Sequence, residues 1–544
     1  MKEFTPQLFL SLKEYSKEKL IKDIVSGIIV AIIALPLSIA LALASGVTPE
    51  QGLYTAIIAG FVISFLGGSK VQIAGPTAAF ASIVAGIVAK NGMDGLAVAT
   101  ILAGILLVLM GVLRMGSMIK FIPFTITTGF TTGIALTIFI GQIKDFLGLT
   151  FTKSPVETME KLEQVITCIG TINWTAAAVG ALSLAILIIW PKFFKKIPPS
   201  LIAVIVSALL VKVLDLPVHT IGDLYTISSA PPKFHMPAVS YEMVKTVFPD
   251  ACTIAILAAI ESLLSCVVAD GMISSKHNSN MELIAQGVGN TCSALFGGIP
   301  ATGAIARTAA NIRNGGVSPI AGMVHAIVLL LILVLLMPYA ALIPMPAIAA
   351  ILFMVAYNMS EWRTFRDIIR TSPKSDIAVL VVTFFLTVVF DLVVAIGVGL
   401  VAASLLFMKR MADVADVREW DYLDTYEEGS EKKGFKLVPK HVKVFEITGP
   451  MFFGAADKIS ALDFPHDRRV MILRMRSVPA MDITALNSLK KLEAVCKERH
   501  ITLILSHVNE QPLAVMRKSG FVDQIGEENI CANIDEALKR SMTL

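Results

Sequence analysis

The sequence predicts an all-α polytopic membrane domain of fourteen spans, a seven-plus-seven inverted repeat with two half-helices, followed by a small α/β domain. Three observations predict it. Hydrophobic residues make up 55% of the 544, and the mean hydropathy of +0.74 is far above that of an ordinary soluble domain. Through about residue 410 the chain is a series of apolar runs separated by short polar breaks, and a bilayer-spanning helix needs roughly 20 such residues. The stretch FLGGSKVQIAGPTAAFAS, from Phe65, is echoed by LFGGIPATGAIARTAANI, from Leu295; each breaks an apolar run with paired glycines, a proline and small residues.

The chain opens with MKEFTPQLFLSLKEYSKEKL, which is polar and lysine-rich and reads as a cytoplasmic segment over 1–20. No cleavable signal core is visible, so the first apolar run is a signal-anchor helix. The transport domain is placed at 21–411. Its first seven spans lie near 23–44, 51–67, 77–89, 96–113, 121–143, 173–190 and 199–214. The second set lies near 249–269, 281–296, 303–313, 319–337, 341–357, 376–393 and 395–410. The third of each set is too short to cross alone. With the N-terminus inside, the short inner loops receive Arg114, Lys120, Lys192, Lys195, Lys196, Lys276, Arg313, Arg363, Arg366, Arg370 and Lys374, as the positive-inside rule requires. An odd number of spans per half makes the halves antiparallel, and the C-terminal region is then also cytoplasmic.

Inverted-repeat transporters commonly place their site near the midplane, where discontinuous helices point their N-termini at an anion. In SKVQIAGPT, Val71 and Ile73 suit an extended entry, Pro76 suits a helix start and Thr77 opens the half-helix. In GIPATGAIART the order is Pro300, Thr302 and Gly303, then helix. Small residues let backbone N–H groups approach a ligand, and the helix dipole leaves about half a positive charge there. Glycine and alanine also permit close packing of membrane helices, which is the competing explanation. Repetition in both halves, each at the shortest span, favours a binding site.

Three residues sharpen this picture. Arg307 lies one turn into the second half-helix in an apolar setting, where a cation is costly; it can add positive potential to an anion site or balance a buried acid. Glu261 interrupts ACTIAILAAIESLLSCVV at mid-span and can carry a proton; with oxygens of Ser262, Ser265 or Thr302 it could instead hold sodium, or simply pair with Arg307. Pro36 kinks the first span, a feature found beside cavities as well as in plain packing, and Ser38 is a candidate for a cavity wall.

After Arg410 the composition changes. The charged stretch ADVADVREWDYLDTYEEGSEKKGF reads as a linker over 412–439. From 440 to 544, HVKVFEI, VMILRMR and ITLILSH read as strands, alternating with amphipathic helical stretches near 455–462 and 483–498. Alternating strands and helices predict a small α/β sheet. Asp482 is placed to cap a helix.

GLYTAIIAG, QIAGPTAAF, ADGMISSKHNSNMELIAQGVGN and GGIPATGAIARTAANIRNGGVSP, followed by a soluble domain, resemble the SulP anion transporter family over nearly the whole chain. GPMFFGAADK and MDITALNSL are similar to STAS domains, the usual C-terminal partners of SulP cores. From Glu261 to Glu361, including SPIAGMVHA and MVAYNMSEW, the chain is most similar to bacterial C4-dicarboxylate transporters of the DauA type. The resemblance implies a moving core subdomain and a gate subdomain, an elevator-like movement, homodimers and a site between the third and tenth helices. It assigns substrate binding to Pro76, Thr77 and Ala78, to Ala306 and Arg307, and to Leu37 and Leu41 of the first span. It places Glu261 at the coupling ion, beside which the residues themselves offer the oxygens of Ser265 and Thr302. Thr484 falls at the position phosphorylated in some related anti-sigma antagonists, beside the capping Asp482. Many sulfate-transporting members read Pro-Gln in the first span, whereas this chain reads Pro36-Leu37, an apolar wall. Glu261 stands where bicarbonate members carry a shorter, sodium-coordinating aspartate, so proton coupling is preferred to sodium.

The expectation is therefore a secondary transporter of small anions in a bacterial inner membrane, with both termini cytoplasmic. Proton-coupled symport of succinate or fumarate leads; sodium-coupled bicarbonate transport, proton-coupled sulfate transport and uncoupled exchange or channel conduction are the alternatives. A membrane receptor whose soluble domain is the output is a further possibility, as is a cytoplasmic protein partner at that domain. An enzyme is disfavoured, because no paired carboxylates, metal-ligand cluster or nucleophile with a nearby base is visible. The six cysteines are scattered without CxxC spacing and read as small core residues. There is no GxxxxGK[ST] loop for a nucleotide, and the net charge of +4 does not indicate nucleic acid. No cofactor is expected.

Overall fold

The computed structural model describes residues 4–544 except 14, 118–122, 154, 156, 195–196, 391, 421, 426–433, 454–457, 460–461 and 463–467. It divides into two compact units, Met1–Leu400 and Val401–Leu544.

In the first unit, α1 (Gln7–Leu12) precedes α2 (Lys17–Ala44), which begins six residues before the apolar run does. Ser16 caps it by accepting the Lys19 N–H, so its polar first turn is helical as well. A capping box, Thr48 with Gln51, starts α3 (Pro49–Leu66). The two-residue strand β1 (Ala74–Gly75) and a 3₁₀ turn over Ala78–Phe80 then lead into α4 (Ala81–Val112), which is broken at Gly92, where φ is 68°. That break divides the third and fourth spans. The first half closes with α5 (Phe124–Leu147), α6 (Thr158–Thr167), α7 (Trp174–Phe193) and α8 (Pro199–Val213).

After α9 (Ile221–Leu224), the second half repeats the order: α10 (Tyr241–Ile273), α11 (Ser279–Leu295), β2 (Thr302–Gly303), α12 (Ile305–Arg313), α13 (Ile320–Ala340) and α14 (Met345–Ser360). It ends with α15 (Trp362–Thr371), α16 (Lys374–Val389) and α17 (Leu392–Val414). Setting aside the short helices α1, α6, α9 and α15, the helical segments follow the fourteen-span order. Among the described residues, seven helices are long and apolar enough to cross a membrane individually. The inner-loop residues Lys120, Lys195 and Lys196 lie outside the described residues.

The helices sort into two groups. α13 packs on α2 and α3, α11 on α3 and α4, and α10 on α4 and α12. Separately, α14 and α16 pack on α5, and α7 packs on α8 and α14. Some glycines serve only this packing: a Cβ at Gly287 would lie 2.4 Å from the Gly104 carbonyl oxygen across the α4–α11 contact.

In the second unit, β3 (Asp416–Trp420), β4 (Tyr422–Thr425), β5 (Gly434–Leu437), β6 (Val442–Thr448), β7 (Val470–Ser477), β8 (Thr502–Ser506) and β9 (Ile530–Cys531) alternate with α18 (Ile483–Glu498), α19 (Glu510–Lys518), α20 (Phe521–Ile525) and α21 (Ile534–Ser541). Five of the strands form a sheet in the order β3-β6-β7-β8-β9. Its β6, β7, β8 and β9 are parallel, and β3 adds an antiparallel edge. The reading of 412–439 as a linker is corrected here. The helix α17 runs to Val414, and Val417 and Trp420 pack against the two sheet cores, which gives a charged stretch enough apolar area to hold an edge strand. Helix α18 occupies the stretch expected over 483–498, whereas most of the helical stretch expected over 455–462 lies outside the described residues. Burial pushes the Cys496 thiol up to about 12, as befits a core residue.

Candidate anion site between the two half-helices

The two repeated breaks meet. Strand β1 pairs antiparallel with β2, Ala74 opposite Gly303 and Gly75 opposite Thr302, so the starts of both half-helices converge. The Ala304 N–H donates to the Ile73 carbonyl at 2.9 Å and the Ile73 N–H to Thr308 Oγ1 at 3.0 Å. Asn290 clamps the second entry loop, donating to the Ala301 carbonyl and accepting the Ala301 N–H, both at 2.8 Å. Asn311 ties the first loop, donating to the Val71 carbonyl at 2.8 Å.

Two glycines are required by close approach. A Cβ on Gly303 would fall 1.5 Å from Gln72 Nε2, and one on Gly75 would fall 2.2 Å from Arg307 Nη1. Neither half-helix start carries a side-chain cap: Thr77 before the first turn and Ala304 before α12 make no capping hydrogen bond. Their leading N–H groups are therefore left for another acceptor.

Arg307 is 1% exposed. Its Nη2 donates to Ser38 Oγ and to the Pro76 carbonyl, each at 3.2 Å. Among the described residues, its Nε and Nη1 have no hydrogen-bond partner. Its polar neighbour from α2 is Ser38, whereas Leu41 is buried and Leu37 half-buried. Ala78 is buried, while Ala306 at the start of α12 is exposed.

Glu261, half-buried on α10, accepts the Thr77 hydroxyl at 2.9 Å. It thus meets the first half-helix start rather than Arg307, and among the described residues the two form no ion pair. The hydroxyls expected beside it are committed elsewhere. Thr302 Oγ1 donates to the Ala258 carbonyl at 3.1 Å, Ser265 Oγ to Thr308 Oγ1 at 3.4 Å, and Ser262 Oγ to the Ala258 carbonyl at 2.6 Å. In the second unit, Asp482 caps α18 by accepting the Ala485 N–H at 2.9 Å, and Thr484 is exposed in its first turn.

Pro36 lines a cavity of about 350 Å³, but it is the apolar one between α2, α8 and α13, which Leu209 and Met337 also line. Several buried polar residues escape a hydropathy reading. Asp23 accepts the Val317 and Ser318 N–H groups at 2.7 and 3.1 Å. Glu282 accepts the Gly68 N–H at 2.9 Å. His325 is 0% exposed. Each is a single polar residue at the edge of, or within, an apolar run, and that isolation is the signal that could have marked it.

The sulfate permease family description matches residues 20–383, and a STAS domain matches 436–537. YvdB of Bacillus subtilis is 38% identical over 96% of this chain and 98% of its own length. The bicarbonate transporter BicA of Picosynechococcus is 31% identical over 89% of this chain and 88% of its own. In fold, the chain is similar to murine Slc26a9, an anion transporter solved in its inward-facing state, with a TM-score of 0.88 at 18% identity over 99% of this chain and 94% of that one. It is also similar to the transmembrane domain of a cyanobacterial BicA, with a TM-score of 0.61 at 28% identity over 72% of this chain and 98% of that one. The chain belongs to the sulfate permease family: it is a multi-pass membrane transporter of anions with a C-terminal STAS domain, not an enzyme.

Proposed function

We propose that the chain is a proton-coupled secondary transporter of a small oxyanion, which it holds between the starts of the two half-helices. The observation that carries this reading is Arg307: a buried guanidinium with Nε and Nη1 unpartnered, beside two uncapped helix starts. A buried N–H without a partner costs about 1–3 kcal/mol, and anion oxygens would remove that cost. Pro76, Thr77 and Ala78 on one side and Ala306 and Arg307 on the other form the seat, with Leu37 and Leu41 as its apolar wall. Glu261 is the proposed coupling carboxylate, and its bond to Thr77 ties its protonation to the first half-helix start. Proton coupling is favoured over sodium because Glu261 stands where bicarbonate members of the family carry a shorter, sodium-coordinating aspartate.

The helix group containing α2 to α4 and α10 to α13 is the proposed moving core, and the group containing α5 to α8 and α14 to α17 the gate. Assembly as a homodimer in a bacterial plasma membrane, with both termini and the STAS domain in the cytoplasm, belongs to the same proposal. So do the domain limits 1–20, 21–411 and 440–544, a cytoplasmic protein partner at the STAS domain, and phosphorylation of Thr484.

The leading substrates are succinate and fumarate, on the similarity over Glu261 to Glu361 and on the apolar Leu37 that follows Pro36. The 31% identity with BicA favours bicarbonate as the second reading. The deciding experiment is uptake of labelled succinate, fumarate, bicarbonate and sulfate into proteoliposomes, under an inward proton gradient and separately under an inward sodium gradient. Proton-driven succinate or fumarate accumulation is expected. Sodium-driven bicarbonate uptake would replace that reading, and uptake that never exceeds equilibrium would overturn coupling.

A further inference from the structure

His325 has no part in the site as described so far, yet it is 0% exposed in the second turn of α13, and neither ring nitrogen has a hydrogen-bond partner among the described residues. An ionisable side chain inside a membrane domain is costly and is retained for a task. Its position suggests one. A Cβ built on Gly60 of α3 would lie 3.3 Å from the Ala74 carbonyl oxygen and 3.9 Å from His325 Nδ1. The ring therefore lies beside β1, whose next residues, Gly75 and Pro76, contact Arg307. Ring and guanidinium thus flank the same short stretch of chain, Ala74 to Pro76.

The other charged groups on the packed elements lie two or more turns away along their helices. On α2, Asp23 holds the Val317 and Ser318 N–H groups, about two turns before His325. Lys17, Glu18, Lys19 and Lys22 share that polar end of α2. On α3, Glu50 is in the first turn, about three turns before Gly60. On α11, Glu282 holds the Gly68 N–H beyond the far end of α3.

We propose that His325 is the proton-accepting positioning residue of the anion site, taking up one proton on its free ring nitrogen when an anion is held by Arg307. The inference rests on the reading that Arg307 seats the anion. With the seat empty, burial and charge repulsion from the guanidinium together oppose a second cation there. A bound anion cancels that repulsion, and by linkage the proton strengthens anion binding by the same factor. This proton is drawn from water on the loading side and returned on release, and it is carried in addition to the one on Glu261.

The test uses the full chain in lipid nanodiscs with labelled sulfate, which keeps its charge between about pH 5.5 and pH 7.5, where an ordinary histidine titrates. Wild-type affinity is expected to rise about tenfold on going to the lower pH. In His325→Gln that rise disappears, while affinity at the higher pH stays within about threefold of wild type. Retention of the full pH dependence in His325→Gln overturns the proposal. Arg307→Gln keeps the two readings apart. If it binds sulfate as wild type does, the anion seat itself is wrong. If it loses binding while His325→Gln keeps its pH dependence, the seat stands and the role of His325 falls. A second measurement needs no variant: His325-Ala326 is the one His-Ala step in the sequence, so its ring can be assigned by pairwise labelling and followed by solid-state NMR. Ring protonation on addition of sulfate is expected, and an unchanged ring overturns the proposal.

Discussion

At Gly75 a methyl group would sit 2.2 Å from Arg307 Nη1, whereas at Gly86 it would meet nothing within 4 Å. Gly75→Ala is therefore expected to weaken anion binding at least about tenfold, or 1.4 kcal/mol, while Gly86→Ala leaves it unchanged; equilibrium binding on the purified variants checks both. Arg307→Ala removes two unpartnered donors together with the charge. It is expected to weaken binding by about 100-fold or more with the size-exclusion profile intact, and near-normal affinity would remove Arg307 from the site. Glu261→Gln keeps an acceptor for Thr77 but cannot lose a proton. Substrate exchange is expected to continue while the response of uptake to a pH gradient is weakened to what His325 alone supports, and an unchanged pH dependence would assign coupling elsewhere. At this scale the sequence was partly legible. Arg307 and Glu261 announce themselves as lone charges in apolar surroundings. Gln72 and Asn290 do not, because a neutral polar side chain hardly changes the hydropathy of a run.

Among the elements, the two entry loops depend on side chains that bridge distant parts of the chain. Asn290 meets Ala301 with both ends of its amide, so Asn290→Ala leaves a buried N–H and a buried carbonyl without partners. A loss of about 2–4 kcal/mol is expected, seen as a lower thermal midpoint, and substrate protects the variant less than it protects wild type. Helix positions were legible because a span must be both long and apolar, and the broken third spans stood out by their shortness. The ends were less legible. Lys17 to Asp23 extend α2 beyond the apolar run because Ser16 caps it and buried Asp23 finds partners in the loop before α13. The strand β3 was hidden because DVREW has no apolar alternation: Val417 and Trp420 are three residues apart and pack into different cores of the sheet.

For the whole molecule, orientation follows from charge asymmetry between loops rather than from any contact. Alkaline phosphatase inserted after Leu214 is expected to be active and a fluorescent protein fused after Leu544 to be fluorescent; the opposite pair of results would invert the topology. The separation of the helices into two packing groups, with the half-helix starts inside one of them, is what a core sliding against a gate requires.

By itself the sequence determined the membrane class, the seven-plus-seven order, the paired breaks and the identity of the lone cation, because each of these depends on local hydropathy or on a repeated motif. Only the tertiary structure decided that β1 and β2 pair across the sequence, Ala74 with Gly303 and Gly75 with Thr302, and that Glu261 meets Thr77 instead of Arg307. The same holds for the burial of His325 beside the strand that contacts that arginine. The physical reason is that hydrogen-bond partners and electrostatic neighbours are set by distance in space, which composition and periodicity along the chain do not encode.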